Sequence, residues 1–410
     1  MPNRTLHVFD FIARLLLMQS SPSLRRARAS AMLAFATNGA LPATLLARYA
    51  EVQELLGVGA GLFGLLVVGA TLGGAGAFNL PGVVLRRFGM RNTTTVGTAW
   101  VATAVFLATV GIVTGQPWLF FLCLVLAGAG DACVDVGQNA QGLKVQQAYG
   151  RSLLNFMHAG WSIGAAVGGV VGTIMAMTGV PLLAHLGLWG AVCIGSMWWA
   201  SRGFLTDGAV AADDAPAESL RGRHVMKVLI PLALVALAGI SVEEIGNNWS
   251  AILLATERGV PLESAGIGLS VLLGAQFVGR LLGDRFIDAL GSHRALLISL
   301  ATVAAGLLAA AWAPNAATTL IGLALAGLGC AVTVPVAFAE ADAVPGLPPH
   351  AGVTWISWAM RAATITLAPT IGGVTALASL PVALTAVTGI AVVALVLQFG
   401  KRPRRGVENA

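Results

Sequence analysis

Apolar runs long enough to cross a bilayer recur twelve times along this chain, at residues 29–48, 57–80, 93–114, 118–140, 155–178, 180–203, 226–254, 264–284, 293–313, 317–339, 351–376 and 379–399. A helix rising 1.5 Å per residue needs about 20 residues to traverse roughly 30 Å of hydrocarbon, and every run meets that length. Short polar connections separate them, with one longer exception. Residues 205–224 carry Asp207, Asp213, Asp214 and Glu218 among Ala and Pro, a composition that predicts a flexible linker. The pattern therefore predicts an all-α membrane protein. Its regions are a tail at 1–28, a six-helix bundle at 29–204, the linker, a second six-helix bundle at 225–400 and a tail at 401–410. Within the first tail, residues 6–18 are apolar on one side, broken by Asp10 and Arg14, and too short to span. They read as a helix lying in the membrane interface, with a start at Met18 or Met32 as the alternative.

Charge gives this pattern a direction. Threading the runs alternately puts Arg4, Arg14, Arg25, Arg26 and Arg28 on one side, together with Arg86, Arg87, Arg91, Lys144, Arg151, Arg202, Arg221, Arg223 and Lys227. Arg280, Arg285, Arg294, Lys401, Arg402, Arg404 and Arg405 fall on the same side. Only Arg48 and Arg258 lie opposite, and Arg361 sits inside an apolar run. Positive charge concentrates on cytoplasmic loops, so both termini are expected inside. The net +6 and pI near 9.7 thus describe topology and contact with anionic lipid rather than a nucleic-acid groove. Mean hydropathy of +0.82 with only 10% charged residues excludes the soluble classes. Cys123, Cys133, Cys193 and Cys330 lie in apolar runs without ligand spacing and read as core residues, so no metal is expected. GAGLFG at 59–64 lies within a span rather than after a strand, which removes it as a dinucleotide site, and no P-loop is present. No cofactor and no enzyme activity are expected.

The halves look related. LRRFGMR (85–91) closes the second span and DALGSHR (288–294) the eighth, aligning Gly89 with Gly291; Gly168-Gly169 on the fifth likewise matches Gly372-Gly373 on the eleventh. Gly160, Gly164, Gly168 and Gly172 fall at every fourth position of the fifth span, a face that lets another backbone approach closely. That face, with Gly279 and Gly283 as a shorter partner, serves either helix packing or a sliding seam between halves.

Residues 130–169, GDACVDVGQNAQGLKVQQAYGRSLLNFMHAGWSIGAAVGG, contain a D-V-x-x-N-A-Q-G stretch (Asp135 to Gly142). A G-R-x-x-x-x-x-H-x-x-x-S-x-G stretch follows, from Gly150 through Arg151, His158 and Ser162 to Gly164. With EEIGNNWSAILL (243–254) and GRLLGDRFIDALG (279–291), these resemble the fucose-permease-like branch of the bacterial major facilitator superfamily, over nearly the whole chain after residue 24. The resemblance implies twelve helices in two pseudo-symmetric bundles, alternating access, and a monomer that moves a small polar solute, sugar-like or another metabolite, with protons. It also implies cytoplasmic gating groups at Arg87, Arg91, Asp284, Arg285 and Asp288. Two positions depart from the pattern. Arg86 stands where an Asp normally helps lock the gate, and Glu243-Glu244 with Asn248-Trp249 replaces Glu-Gly followed by Asp-Trp. A drug:proton exporter, or a transport-inactive sensor or scaffold, are the alternatives.

Charged groups inside a membrane are costly and generally face a cavity or a partner. The resemblance implies that spans 1, 4, 7 and 10 line a central cavity, and the intramembrane carboxylates fall on spans 4 and 7 alone. Asp131, Asp135 and Asn139 form one stripe at i, i+4, i+8, about 20 to 26 Å from Trp118 for the two acids. Asp131 suits proton coupling; Asp135 suits coupling or a tether to Arg151 or Arg280. Asn38 adds an amide from span 1, and His158 a relay or a packing ring. Glu243, Glu244, Asn247 and Asn248 crowd span 7, where adjacent glutamates diverge by about 100°. They read as a substrate or proton site, or as an outer-gate network. Arg361, about 15 Å into its span, calls for a partner. Asp131 or a helix-7 glutamate is the expected one, and an anionic group of the substrate the alternative. Of Trp161, Trp249, Trp355 and Trp358, one is expected to stack on the ligand.

Overall fold

The computed structural model describes residues 22–77, 80–149, 153–205, 223–342, 344 and 351–400. The expected interfacial helix at 6–18, most of the linker at 205–224, Arg151 and the tail at 401–410 lie outside the described residues. Among the described residues every regular element is helical, and the helices group into twelve segments. They are α1 (Pro22–Leu46), α2 (Ala60–Gly76), α3 (90–113), α4 (Pro117–Tyr149), α5 (Leu154–Met177) and α6 (Leu182–Ser201) in the first half. The second half holds α7 (Met226–Glu257), α8 (Ile267–Leu290), α9 (Ser292–Trp312), α10 (Ala316–Ala341), α11 (Ala351–Leu377) and α12 (Leu380–Phe399). Among the described residues ten helices are individually long and apolar enough to span a membrane, the bent pair containing α2 makes an eleventh, and α11 has the length for a crossing at 27 residues.

Three features differ from the simple hydropathy pattern. The first span begins at Pro22, so Arg25, Arg26 and Arg28 ride on its helix. Arg28 lies 5.8 Å from the Tyr149 ring and 5.9 Å from that of Phe156, which ties the basic end of α1 to α4 and α5. The segment YAEVQELL, expected as a connection, is a helix (Tyr49–Leu56) bent by 116° from α2. Good helix formers and a backbone cap at Gly57 explain it. Finally, α7 contains two wide π turns, Ile245–Trp249 and Leu253–Glu257, next to its polar cluster. Such turns are frequent at functional sites.

The repeat expected from sequence has a geometric counterpart. A continuous helical stretch, Leu80–Val113, turns sharply at Gly89 (φ 73°, ψ 166°), so residues 80–88 belong with α2 and α3 begins after it. Gly291, between α8 and α9, has nearly the same conformation (φ 77°, ψ 148°). A positive φ of this kind is open to glycine at little cost and to few other residues, which explains why both copies carry it. Helix crossings repeat as well. A Cβ on Gly128 of α4 would press on the carbonyl of Ala70 in α2, and one on Gly327 of α10 on the carbonyl of Leu272 in α8.

The glycine stripe of α5 is a packing face. Added Cβ atoms at Gly164, Gly168 and Gly172 would lie 2.0, 2.4 and 2.4 Å from the carbonyl oxygens of Ala36, Ala40 and Thr44. All three belong to α1 of the same half, so the sliding-seam reading of that face is corrected. Gly279 and Gly283 likewise meet α10 in their own half, at Leu328, Ala331 and Val332. The seam between halves lies elsewhere. Gly64 of α2 abuts Ala368 of α11, Gly372 abuts Ala60, and Gly169 of α5 abuts Ser270 of α8.

Candidate functional site

A cavity of about 1510 Å³ runs along the inside of the first half and is closed on one side by α11. Its walls come from α1 (Pro42, Leu45), α2 (Thr71, Gly74), the 80–88 segment (Pro81, Arg86), α4 and α11. Two carboxylates and two guanidiniums face it: Asp131 and Asp135 from α4, Arg86 from the mouth, and Arg361 from mid-α11. Ser357, Trp358 and Thr364 flank Arg361 on the same wall.

The carboxylates are engaged by amides. Asn38, buried on α1, places its amide beside the half-buried Asp131 across the α1–α4 contact. Asp135 accepts from Asn139 Nδ2 at 2.9 Å and from Gln138 Nε2 at 3.3 Å. The sequence pattern anticipates the Asn139 contact because residues four apart stack on one helix face. The expected tether of Asp135 to Arg280 is corrected, because Arg280 is occupied by Glu243. The expected pairing of Arg361 with Asp131 or a helix-7 glutamate is corrected too. Among the described residues Arg361 joins no ion pair, since Glu243 is held by Arg280 and Glu244 by Asn248.

A second polar junction ties the halves together. Arg280 of α8 donates to Glu243 Oε1 of α7 at 2.8 Å and to Ser162 Oγ of α5 at 2.5 Å, and Gln276 Nε2 donates to the same Glu243 oxygen at 2.6 Å. Both ends of the ion pair remain about a quarter exposed. One guanidinium thus spans three helices and both bundles. His158 of α5 sits edge-on to Phe35 at 5.1 Å and feels the charges of Asp135, Glu243 and Arg280 together. It links the carboxylate stripe of α4 to the junction. The adjacent glutamates do diverge. Glu244 turns away from Arg280, accepts from Asn248, and lies near enough to Tyr49 to interact with it electrostatically. Asn247 is half-buried within the first π turn.

At the end away from the basic residues the halves are sealed by an aromatic chain. Phe120 of α4 lies 6.5 Å from Tyr49, Tyr49 5.3 Å from Phe63 of α2, and Phe63 6.3 Å from Trp249 of α7, all edge-on. These rings are at most 3% exposed, so Trp249 is closed off from any ligand in this conformation. Trp358, half exposed on the cavity wall, is the indole placed for stacking. At the opposite end Arg87, Arg91, Arg285 and Asp288 are exposed, and among the described residues no ion pair joins them across the halves. Asp284 lies on the same end of α8; its side chain is outside the described set.

Sequence reasoning missed one buried network. Arg48, 4% exposed, pairs with Glu51 and donates to Val180 O, and its Nη1 lies 3.2 Å from Nδ1 of His185. Nε2 of His185 reaches Thr44 Oγ1 at 2.9 Å. Arg258, the other cation at this end, donates to Thr319 and to the carbonyls of Ala310 and Ala311, capping α9. The signal was present in that only these two cations stand opposite the rest. A cation on the rarer side needs a local reason to be there.

The sequence matches the profile of the Major Facilitator Superfamily across residues 28–339. An uncharacterized MFS-type transporter of Yersinia pestis is 28% identical over 302 residues, 73% of this chain and 76% of that protein. Among solved structures, the nucleoside transporter NupG superposes with a TM-score of 0.69 at 14% identity, covering 93% of this chain and 100% of that one. The fucose:proton symporter FucP of E. coli superposes with a TM-score of 0.54 at 19% identity, over 92% and 98%. At these identities the structural likeness is one of fold.

Proposed function

The chain belongs to the major facilitator superfamily and is a multi-pass membrane transporter rather than an enzyme, and from that premise we propose that it moves a small polar solute by alternating access, coupled to protons. The observation that carries this reading is the cavity itself. It is lined by Asp131 and Asp135, carries Arg86 toward the basic end, and at the other end reaches Tyr49, which belongs to the buried aromatic chain of Phe120, Phe63 and Trp249. A pore would be continuous, whereas a cavity closed at one end by rings from both halves is one half of an alternating cycle. Protons enter the scheme through the polar line from Asp131 and Asp135 past His158 to Glu243 and Arg280, which crosses from one half to the other. NupG, a nucleoside transporter, and FucP, a fucose:proton symporter, support a polar metabolite as cargo.

The test is accumulation in proteoliposomes. With an inside-alkaline pH gradient, at least one member of a metabolite panel should concentrate inside, and the gradient should collapse in step with its uptake. Equilibration of that solute without concentration would remove the proton coupling. Movement of no solute would remove the transport reading.

The basic end is assigned to the cytoplasm of a bacterial inner membrane, with both termini inside. Cysteines introduced singly at Gly115 or Ala316 should then react with impermeant reagents in intact cells, and one at Ser219 only after permeabilisation. A Ser219 label reacting in intact cells would reverse the orientation.

A further inference from the structure

The carboxylates of the cavity and its junction all have side-chain partners, and two of the guanidiniums have no acid among theirs. Asp131 has Asn38, Asp135 has Asn139 and Gln138, Glu243 has Arg280 and Gln276, and Glu244 has Asn248. The two guanidiniums that face the cavity are different. Among the described residues neither Arg361 nor Arg86 joins an ion pair, although two carboxylates line the same space. Arg361 stands about 15 Å along α11, far enough from either membrane surface that its charge calls for a counterion. Arg86 stands nearer the mouth, on the opposite wall, where the resemblance called for an acid.

Building on the transport reading above, we propose that the solute carries an anionic oxygen group, a carboxylate or a phosphate, and that Arg361 is the residue that holds it. A guanidinium offers a planar fork that matches two oxygens of such a group, and the resulting charge-assisted pair is about twice as strong as a neutral hydrogen bond. Trp358, on the same wall as Arg361, supplies a flat apolar face for the rest of the solute. Arg86 raises the local concentration of anions at the mouth without sharing the bound group. The carboxylates Asp131 and Asp135 remain available to protons because their amide partners, rather than the arginines, hold them. Movement of the anion together with protons lessens the charge carried in each cycle.

Matched solutes separate this proposal from its competitors. The full chain in detergent is titrated by thermal shift with galacturonate, galactose phosphate and galactose, with glycerate, glycerol phosphate and glycerol, and with uridine monophosphate and uridine. The expected result is stabilisation by an anionic member of at least one set and not by its neutral counterpart. The carboxylate and phosphate arms tell which group is read. In Arg361→Gln the affinity for that anion should fall at least tenfold, about 1.4 kcal/mol. Arg361→Lys should recover part of it, as a point charge without the fork. Arg86→Gln should lose less, with the deficit vanishing at high salt. The proposal is overturned if neutral members stabilise as well as anionic ones, if no anionic member shifts the wild type, or if Arg361→Gln keeps wild-type affinity. Its failure is distinct from that of the transport reading. Uptake of a neutral solute indifferent to Arg361 would refute the anion site alone, whereas anion binding without uptake in proteoliposomes would refute transport alone.

Discussion

Asp131→Asn should abolish uphill, pH-driven uptake while solute exchange between equilibrated compartments continues. The substitution keeps the size of the side chain and its place beside Asn38, but an amide cannot take up and release a proton. Binding and the swing between conformations therefore persist, and only the link to the gradient is cut. With one proton per solute, each unit of pH gradient supports about a tenfold accumulation, or about 1.4 kcal/mol, and the variant should fall to a ratio near one. Accumulation and counterflow measured on the same proteoliposomes check both halves of the expectation. Asp135→Asn makes the contrast. Asp135 is exposed and accepts hydrogen bonds from Asn139 and Gln138, so its loss should weaken coupling without erasing it. A wild-type accumulation ratio in Asp131→Asn would move the coupling site elsewhere, with Glu244 the next carboxylate to examine.

The spans were legible because the hydrocarbon core demands about 20 apolar residues from each crossing, whatever the chain does at its ends. The repeat was legible because Gly89 and Gly291 hold the same unusual backbone angle, and only a glycine tolerates it cheaply. The α4 stripe could be read from spacing alone, since one helix sets the relation of Asp135 to Asn139. What escaped depends on how helices rotate and dock against one another. Arg280 lies in the same sequence segment as the gating acids, yet its partner is Glu243, 37 residues away, and Ser162, in the other half. The expected Arg361 pairing failed for the same reason, since its candidate partners were already satisfied by neighbours on α1, α7 and α8. The bend after α1 and the π turns of α7 were invisible to hydropathy, which records how apolar a segment is and not how it is wound.

Two glycines that look alike in the sequence should fail in different ways when made large. Gly164 of α5 crosses α1 inside one bundle, where an added Cβ would lie 2.0 Å from the Ala36 carbonyl oxygen. No rearrangement in an alternating cycle parts α1 from α5, so Gly164→Leu should cost on the order of 3 kcal/mol or more and leave little monodisperse protein in size-exclusion chromatography. Gly64 of α2 meets Ala368 of α11, in the other bundle, with a Cβ distance of 2.5 Å. Here the clash has an exit, because the halves can part at the aromatic-sealed end while each bundle stays intact. Gly64→Leu should therefore yield folded protein shifted toward the conformation open at that end. Spin labels at Leu55 and Leu377, both exposed, should report a longer distance than in the unsubstituted chain. Gly373, whose added Cβ meets nothing within 4 Å, is the control, and Gly373→Leu should stay within about 0.5 kcal/mol. Unfolding of Gly64→Leu to the same degree as Gly164→Leu would mean that the contact of α2 with α11 is a fixed joint. The cavity would then have no second state in which to open.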